Sequence, residues 1–368
     1  MRVLLVQGSS AGGVGRHVAA VAAGLVGRGH AVVVAGPSSA FDDFGLAGTG
    51  AAFRPVEIGD GPGPHDAATV RVLHYLGSGA DVVHAHGLRA GGLAALAVGA
   101  RWRRRRPPLV VTLHNLPVGG AKVRLISAVL ERLVARRAAV VLGVSGDLVE
   151  RMLGRGVGRA ERALVPAPPG APPSGPADQV RRRVRAELGL EDATALVVTV
   201  ARLAPQKGLP LWCEALAVLR RTRPDLDLLA VVAGDGPLQA ELERRIAAQQ
   251  LPLRLLGRRT DVADLFAAAD VAVSASVWEG QPLVVQEALR RGAPLVATDV
   301  GGTGEVAGDA ALLVPYGDPR AMAGAVASLL DDPVERSRRG VAGRLRAREL
   351  PTDDDAVDQL CRIYAGLG

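Results

Sequence analysis

Short runs of apolar residues alternate with longer stretches of helical periodicity along the first half of the chain. The apolar runs occupy residues 3–6, 31–35, 81–84, 109–113 and 139–144, and helical patterns occupy residues 16–28, 65–76 and 87–101. Runs of Val, Leu and Ala this short are typical of buried strands, and the longer amphipathic stretches are typical of helices. The alternation therefore predicts βαβ units that build a parallel sheet.

The second half repeats this alternation after a break in composition. Residues 166–176 read PAPPGAPPSGP, which can continue neither a helix nor a strand. Apolar runs then return at residues 196–201, 228–233, 253–256, 271–274, 295–298 and 311–314. We expect a first domain at residues 1–166, a linker at 167–178, a second domain at 179–350, and a C-terminal helix at 351–368 that can pack back on the first domain. The predicted fold class is α/β, with two facing, doubly wound Rossmann-like domains and a ligand cleft between them.

Positive charge is concentrated in the first half of the chain. The formal net charge is +7, and residues 1–166 contain 20 Lys and Arg against 10 Asp and Glu. Many of these cations form two groups. The first group is Arg101 with the arginines at 103–106, and the second is Lys122, Arg124, Arg132, Arg136 and Arg137. They either complement helix ends and solvated faces, or form a surface that meets an anionic acceptor or anionic lipid head groups. A nucleic-acid partner is not expected, because no binding module or aromatic pattern accompanies the charge.

Composition disfavours several other classes of protein. The 368 residues are 48% hydrophobic and 3% aromatic, which fits packed α/β layers and not a disordered chain. No apolar run approaches the roughly 18 residues of a membrane span, and the apolar start MRVLLVQG is too short for a signal-peptide core, so we expect a cytoplasmic protein. Cys213 and Cys361 are far apart in sequence and indicate neither a disulfide framework nor a thiolate metal site.

Two carboxylates lie seven residues apart where a loop turns into a helix. In WEGQPLVVQEALRRG, Gly280 and Pro282 predict a turn and Gly292 predicts the helix end, so Glu279 is expected in the loop and Glu287 about one turn into the helix. The unpaired N–H groups at such a helix start attract phosphate. Two hydroxyl acceptors that flank an anion site fit a sugar nucleotide better than a metal.

A second candidate anion site follows the strand at residues 196–201. In RLAPQKGLPLW, Arg202 and Lys207 stand in a loop that opens a helix, where both can reach one diphosphate. Lys207 is unusual in this chain, because Lys122 is the only other lysine among 44 basic residues. A flexible ammonium suits a leaving diphosphate, whereas an arginine can fork two oxygens. The alternative is an ordinary surface ion pair.

The loop after the first strand, GSSAGGVGRHV, is rich in glycine. The amides of Gly12 and Gly13 could approach a phosphate or sugar because no side chain stands in the way. The complete G-x-G-x-x-G motif is absent, and Ala35 and Gly36 stand where a dinucleotide-binding domain has an acid for the ribose, so an NAD enzyme is disfavoured. A tight turn without any ligand explains these glycines equally well.

Three histidines follow or end strands in the first half. His84 and His86 share a strand face, but no third ligand stands at a suitable spacing, so packing or cleft-lining roles are favoured over metal binding. His114 ends the run LVVTLHN and is expected to enter the cleft and not the core. It is a candidate site residue, with a hydrogen-bonded structural role as the alternative.

Several segments resemble the retaining glycosyltransferases of family 4, which have the GT-B fold. These segments are GGVGRHV, DVVHAHG, VVTLHN, VLGVSGDL, VARLAPQKG, VVAGDGP, LLGRRTDVADLFAAADV and WEGQPLVVQEALRRGAPLVATDVGGTGEV. The resemblance spans nearly the whole chain and is more specific in the second half. Two positions depart from it: Gln281 stands where the family usually has an aromatic or aliphatic residue, and Gly304 replaces a common proline.

The resemblance implies retaining transfer of a sugar from a nucleoside diphosphate to an acceptor hydroxyl, without a metal or another cofactor. The first domain would hold most of the acceptor, which could be a small molecule or a lipid-linked compound. The residues implied in catalysis are Glu279, Lys207, Arg202 and His114. The residues implied in donor binding are Gly12, Gly13, Arg202, Lys207, Gly234, Gly257, Arg258, Glu279, Gln281, Leu283, Val284 and Glu287.

Individual roles follow from the same resemblance. Glu287 would hold the ribose hydroxyls, and Glu279 would hold hydroxyls of the sugar, which His114 would also touch. Arg202 and Lys207 would neutralise the diphosphate, with the glycine loop completing its cradle.

Two alternatives stay open from the sequence alone. One is another sugar-nucleotide enzyme on the same fold, such as an epimerase or a phosphorylase. The other is a protein that binds a nucleotide sugar without turning it over.

Overall fold

The structure is a computed structural model that describes residues 1–9, 13–59, 61–99, 106–116, 120–168, 170 and 172–367. The chain divides into two compact units. The first unit comprises Met1–Pro166 with Pro351–Gly368, and the second comprises Ala167–Leu350. No helix in these described ranges is both long enough and apolar enough to cross a membrane.

The first unit is built on a parallel sheet of seven strands in the order β3-β2-β1-β4-β5-β6-β7. The strands are β1 (Arg2–Gln7), β2 (Ala31–Gly36), β3 (Ala52–Pro55), β4 (Val82–His86), β5 (Leu109–Leu113), β6 (Val140–Gly143) and β7 (Ala160–Arg162). The helices between them are α1 (Gly13–Gly27), α2 (Ser38–Asp43), α3 (Asp66–Gly77), α4 (Leu88–Gly99), α5 (Ala121–Arg137) and α6 (Gly146–Gly154). The central strands β4, β5 and β6 are buried along their whole length, as expected of a parallel sheet covered on both faces.

The second unit is built on a parallel sheet of six strands in the order β10-β9-β8-β11-β12-β13. The strands are β8 (Ala195–Val200), β9 (Leu228–Ala233), β10 (Leu253–Gly257), β11 (Val271–Ser274), β12 (Leu295–Thr298) and β13 (Ala311–Val314). The helices are α7 (Ala177–Leu188), α8 (Leu209–Thr222), α9 (Gln239–Gln249), α10 (Val262–Ala268), α11 (Leu283–Arg291), α12 (Thr303–Ala307), α13 (Pro319–Asp331) and α14 (Pro333–Glu349). Two apolar cores cover the sheet: Val197 packs into one with Trp212, while Leu196 and Val198 pack into the other with Leu289.

The predicted fold class is confirmed, because both units are parallel-sheet, Rossmann-like domains. Strand β4 runs two residues beyond its predicted end, since His84 and His86 are buried and extend the strand. Strands β3 and β7 were not predicted. Both are edge strands, and their sequences, AFRP and AER, are short and contain charged residues, so they have no apolar run for sequence analysis to detect.

The segment that joins the units makes its hydrogen bonds with the second unit. The Arg290 guanidinium donates to the carbonyls of Ala167 and Pro168, each at 2.8 Å. The Ser174 amide donates to the Asp264 carboxylate at 2.8 Å. Helix α7 begins at Ala177, within the segment that composition predicts to be linker.

The last helix, α15 (Asp353–Ala365), belongs to the first unit. Its residue Val357 packs so closely on α1 that a Cβ added to Gly24 would lie 2.5 Å from it. Arg28 at the end of α1 forms ion pairs with Asp354 and Asp358. Helix α15 therefore completes one face of the first unit.

Candidate functional site

The second sheet has a topological switch point between β8 and β11. The chain proceeds from β8 towards β9 on one side and from β11 towards β12 on the other, so the loops after these neighbouring strands diverge. Ligands of open α/β sheets bind in the crevice that such loops leave at the carboxyl ends of the strands. Arg202 and Lys207 follow β8, and Glu279 follows β11, so the predicted cations and the first carboxylate lie at this point.

Lys207 and Glu279 are in direct contact. The Lys207 ammonium donates to Oε1 of Glu279 at 2.5 Å, and the Ser276 hydroxyl donates to the same oxygen at 2.6 Å. Glu279 is buried, whereas the Lys207 side chain keeps 26% of its surface exposed. Among the described residues, Oε2 of Glu279 accepts no hydrogen bond. The carboxylate is thus fixed through one oxygen, and its other oxygen is available to a ligand.

The loops that carry this pair are joined backbone to backbone. The Val277 amide donates to the carbonyl of Gln206 at 2.8 Å, and the Gln206 side-chain amide donates to the carbonyl of Trp278 at 3.2 Å. Gly208 has φ +60°, and a Cβ added to it would lie 1.9 Å from the carbonyl oxygen of Ala275. Only glycine permits this approach, which sets the distance between the Lys207 loop and the Glu279 loop.

The loop after β12 supports Glu279 from the other side. The Gly302 amide donates to the Glu279 carbonyl at 2.9 Å, and the Thr298 hydroxyl donates to the Ser276 carbonyl at 2.6 Å. Gly301 has φ +52°, and a Cβ added to it would lie 2.0 Å from the Glu279 carbonyl oxygen. Sequence analysis missed Ser276, Gly208 and Gly301 as site residues. The spacing S-x-x-E of Ser276 and Glu279 is the signal that could have indicated the first.

The second predicted carboxylate lies on helix α11. The helix begins at Leu283 after Pro282, with no side chain capping its start, and ends before Gly292 at φ +68°. Leu283 and Val284 therefore stand in the first turn, where N–H groups lack partners within the helix. Glu287 is half-buried in the following turn. The predicted helix bounds are confirmed, with Gln281 and Glu279 in the preceding loop.

Arg202 differs from Lys207 in its surroundings. Its side chain is exposed and makes no hydrogen bond or ion pair with any residue in the described ranges. The two cations thus share one loop, but Lys207 is bound to Glu279 while Arg202 has no partner among the described residues. Arg202 therefore remains free to pair with an anionic ligand.

Glycines form the turn beside Arg202. Gly234 has φ +146°, and its amide donates to the Gly257 carbonyl at 2.8 Å. A Cβ on Gly234 would lie 2.0 Å from the Ala201 carbonyl oxygen, so glycine is required there. Gly257 has φ +67°, and the next residue, Arg258, is exposed. The ends of β8, β9 and β10 thus approach one another closely.

The first unit contains a buried cluster of four histidines: His17, His84, His86 and His114. Nδ1 of His86 lies 3.2 Å from Nε2 of His114, and the two rings stack with centroids 5.5 Å apart. The His17 ring meets both edge-on, at 5.8 and 5.7 Å. His114 was expected to enter the cleft and not the core, but the side chain is only 8% exposed. Stacking on His86 holds His114 within the cluster, and contact of His114 with a ligand stays a prediction.

Hydrogen bonds fix His84, the most deeply buried histidine of the cluster. Nδ1 of His84 lies 2.6 Å from the Tyr364 hydroxyl on α15, and Nε2 lies 2.7 Å from the Thr112 hydroxyl. Burial lowers the pKa of His84 to about 3 and that of His17 to about 4. Burial also lowers the pKa values of His86 and His114 well below the usual range. All four imidazoles are therefore neutral near pH 7. In the described part of the chain, no three His, Cys, Asp or Glu residues form a metal-binding group.

In the glycine loop of the first unit, the structure describes Gly8, Ser9 and the residues from Gly13, where α1 begins. Gly12 lies outside the described residues, as do Arg101 and the arginines at 103–105. Both cysteines are free, and burial raises the pKa of Cys213 to about 11, which makes its thiol inert.

Family models cover most of the chain. The model described as "Glycosyl transferase 4-like domain" matches residues 12–168, and "Glycosyl transferases group 1" matches residues 194–332. The alpha-D-kanosaminyltransferase of Streptomyces kanamyceticus is 32% identical over 78% of this chain and 77% of that protein. The D-inositol 3-phosphate glycosyltransferase of Pseudarthrobacter chlorophenolicus is 30% identical over 78% of this chain and 71% of that protein. The lipopolysaccharide core mannosyltransferase LpsB of Rhizobium meliloti is 30% identical, over 49% of this chain and 54% of that protein.

Solved structures show the same fold. Anabaena Alr3699/HepE, in complex with UDP, matches all of this chain and all of its own with a TM-score of 0.79 and 21% identity. WaaG, a glycosyltransferase involved in lipopolysaccharide biosynthesis, matches with complete coverage of both chains, a TM-score of 0.71 and 17% identity. The family resemblance seen in the sequence is therefore confirmed: this chain belongs to glycosyltransferase family 4, with two Rossmann-like domains of the GT-B type.

Proposed function

We propose that this glycosyltransferase retains the anomeric configuration as it moves a sugar from a nucleoside diphosphate to an acceptor hydroxyl. Residues 167–350 bind the donor, and residues 1–166 hold most of the acceptor. The observation that carries the proposal is the Lys207–Glu279 pair at the switch point of the second sheet, close in sequence to the uncapped start of α11. This arrangement offers a cation to a diphosphate and a carboxylate oxygen to a sugar hydroxyl.

The diphosphate is bound by two cations and a helix start. The Lys207 ammonium has three N–H donors, one of which is engaged by Glu279, so two can bind phosphate oxygens. Arg202 adds an exposed guanidinium that can bind two oxygens at once. The first-turn amides of Leu283 and Val284, together with the Gln281 amide, bind further oxygens of the phosphate or the sugar.

The sugar and the nucleoside are bound by acceptors of hydrogen bonds. Oε2 of Glu279 accepts from a sugar hydroxyl, while Lys207 and Ser276 keep Oε1 in place. Glu287, in the second turn of α11, accepts from the ribose hydroxyls. Gly234 shapes the turn beside the phosphate, and the backbone of Gly257 and Arg258 contacts the base.

Catalysis in this proposal consists of positioning and stabilisation of the leaving group. Negative charge develops on the diphosphate as the sugar bond breaks, and Lys207 and Arg202 are placed to stabilise it without a metal. Glu279 is a poor candidate for a nucleophile, because an ammonium and a hydroxyl already bind its carboxylate. The acceptor hydroxyl instead attacks on the side of the leaving group, and a phosphate oxygen takes its proton.

A thermal-shift screen over UDP-, GDP-, ADP- and dTDP-sugars tests donor binding. A ligand at 100 times its Kd stabilises a protein by about 2.7 kcal/mol. UDP-sugars come first, because the HepE structures contain UDP and UDP-glucose. Lys207→Ala should reduce the shift, whereas Arg244→Ala, at an exposed site on α9, should preserve it. If no sugar nucleotide stabilises the wild-type protein, the donor site is wrongly assigned.

Product analysis tests retention and metal independence separately. The anomeric configuration of the product is compared by NMR with that of the donor, and inversion would refute the retaining mechanism. Turnover in the presence of EDTA should equal turnover without it. The acceptor is to be found by screening, because the relatives are named for different transfer reactions. A location in the cytosol at an anionic membrane surface is also part of the proposal.

A further inference from the structure

We propose that the outer face of α5 in the first unit binds an anionic membrane surface. Five residues recur there at helical spacing and form what we term the α5 stripe: Lys122, Leu125, Val129, Arg132 and Arg136. All five are exposed, and the exposed fractions reach 69% for Leu125 and 55% for Val129. The proposal depends on the proposed function at one point, which is that the bound membrane would present the acceptor for sugar transfer.

The α5 stripe is not needed to pack the helix. The opposite side of α5 buries Val134, and Leu130 lies so close to α4 that a Cβ added to Gly92 would be 2.5 Å from it. These contacts bury one side of α5 and leave the stripe in solvent. Packing within the first unit therefore does not explain why Leu125 and Val129, on neighbouring turns of α5, are aliphatic and exposed.

Positive charge on this surface is not compensated. Glu131 is the only acid on α5, and it is buried with its two oxygens bound to Arg151 and Arg155 at 2.7 and 2.8 Å. Helix α4 has no acid at all, and the acid of α3, Asp66, is paired with Arg89.

The stripe cations themselves are unpaired. Within the described ranges, Lys122, Arg132 and Arg136 take part in no ion pair. The face thus attracts anions without competition from its own carboxylates.

The mixture of side chains favours a membrane over other anionic partners. The stripe is a single convex ridge about 21 Å long, at 1.5 Å per residue. Its aliphatic groups can enter the head-group boundary while the long cationic side chains reach lipid phosphates. A soluble anion would leave Leu125 and Val129 unused. A protein partner would require about 800 Å² of surface, which two aliphatic side chains do not supply.

Vesicle co-sedimentation of the full chain tests the proposal. We expect binding to vesicles of phosphatidylcholine with phosphatidylglycerol at low ionic strength, and none to phosphatidylcholine alone. The triple variant Lys122→Gln/Arg132→Gln/Arg136→Gln should bind about 100-fold more weakly, at about fivefold per cation. The double variant Leu125→Ser/Val129→Ser should lose the binding that survives at high salt.

A matched control separates the stripe from total charge. Arg244, Arg320 and Arg348 are exposed cations of the second unit without ion pairs among the described residues, and their triple change to Gln removes the same charge. The control should bind vesicles like the wild type. Equal loss in both triple variants, or wild-type binding by the stripe variant, would overturn the proposal. A dimer seen by light scattering that Leu125→Ser/Val129→Ser abolishes would also overturn it, in favour of self-association.

This test is independent of the donor assignment. Both stripe variants should keep the wild-type melting temperature and the wild-type thermal shift with a sugar nucleotide, because they lie in the other unit. A wild-type protein that binds anionic vesicles but no sugar nucleotide would refute the proposed function and leave the membrane surface standing. A protein that binds a sugar nucleotide but no anionic vesicle would refute the membrane surface and leave the donor assignment standing.

Discussion

Acidification should destabilise the first unit of this protein far more than the second. All seven histidines of the chain lie in the first 114 residues, and four of them form the buried cluster. Burial lowers the pKa of His17 to about 4 and that of His84 to about 3, against about 6.5 in the unfolded chain. Below pH 6.5 the unfolded state therefore binds more protons than the folded state, and stability falls as the pH falls from 6.5 towards 4.

The size of the effect follows from proton linkage. One pKa unit corresponds to 1.36 kcal/mol, so a histidine that stays neutral in the folded state costs about 1.3 kcal/mol of stability between pH 7.5 and pH 5.5. His17 and His84 together therefore account for about 3 kcal/mol, and His86 and His114, whose pKa values are lowered by burial in the same direction, add to this loss. This is a large part of the stability of a typical domain.

Calorimetry at several pH values provides the assay, with the second unit as an internal reference. Residues 167–368 contain no histidine, so the second unit should change little over this range. His17→Gln should reduce the loss of stability of the first unit between pH 7.5 and pH 5.5 by about 1 kcal/mol. His65→Gln, at an exposed position, serves as the control and should leave the slope unchanged. Equal slopes for the two units, or equal slopes for the two variants, would refute the linkage to the buried cluster.

Three further predictions concern the second unit. Lys207→Ala should lower kcat by about 100- to 1000-fold, as expected for loss of a group that stabilises transition-state charge, and equal kcat in steady-state assays would exclude that role. Ser276→Ala should weaken binding of the sugar nucleotide by about tenfold in titration calorimetry while binding of the nucleoside diphosphate alone stays unchanged, because Ser276 holds the carboxylate proposed to face the sugar. Gly208→Ala should lower the melting temperature of the second unit more than Gly189→Ala does, since both glycines have positive φ but only at Gly208 would the Cβ meet a carbonyl, at 1.9 Å. Equal shifts for the two glycine variants would contradict the reasoning.

The fold could be predicted from the sequence because its strands are apolar runs. Strands β5, β9, β11, β12 and β13 have the predicted bounds, as does α11 between Pro282 and Gly292. Most residues of these runs are buried under the helices that cover the sheet, so each run is apolar and continuous in sequence. Strands β3 and β7 are short and contain charged residues, so they have no such run, whereas the edge strand β13 is the apolar run ALLV. This difference explains why β3 and β7 were missed.

Site residues could be predicted where their charge is unusual for the chain or the loop. They could not be predicted where their role depends on packing against another segment. Lys207 is one of only two lysines among 44 basic residues, and Glu279 is the acidic residue of its loop. The sequence does not show that their side chains meet, because the residues are 72 positions apart and only the strand order brings β8 beside β11. Ser276 and Gly208 were missed for the same reason, since each matters through a contact with another segment.

The protonation state of the histidines determines where positive charge for the reaction can come from. The four buried imidazoles are neutral at pH 7, and therefore none of them can offset charge on a leaving diphosphate. The cations that remain near a predicted phosphate site are Lys207 and Arg202 of the second unit. The pH dependence of kcat between pH 6.5 and 8 should accordingly be the same in His114→Gln as in the wild type. If the two differ, His114 titrates in the active enzyme, and the view of the cluster as a neutral, structural element would be wrong.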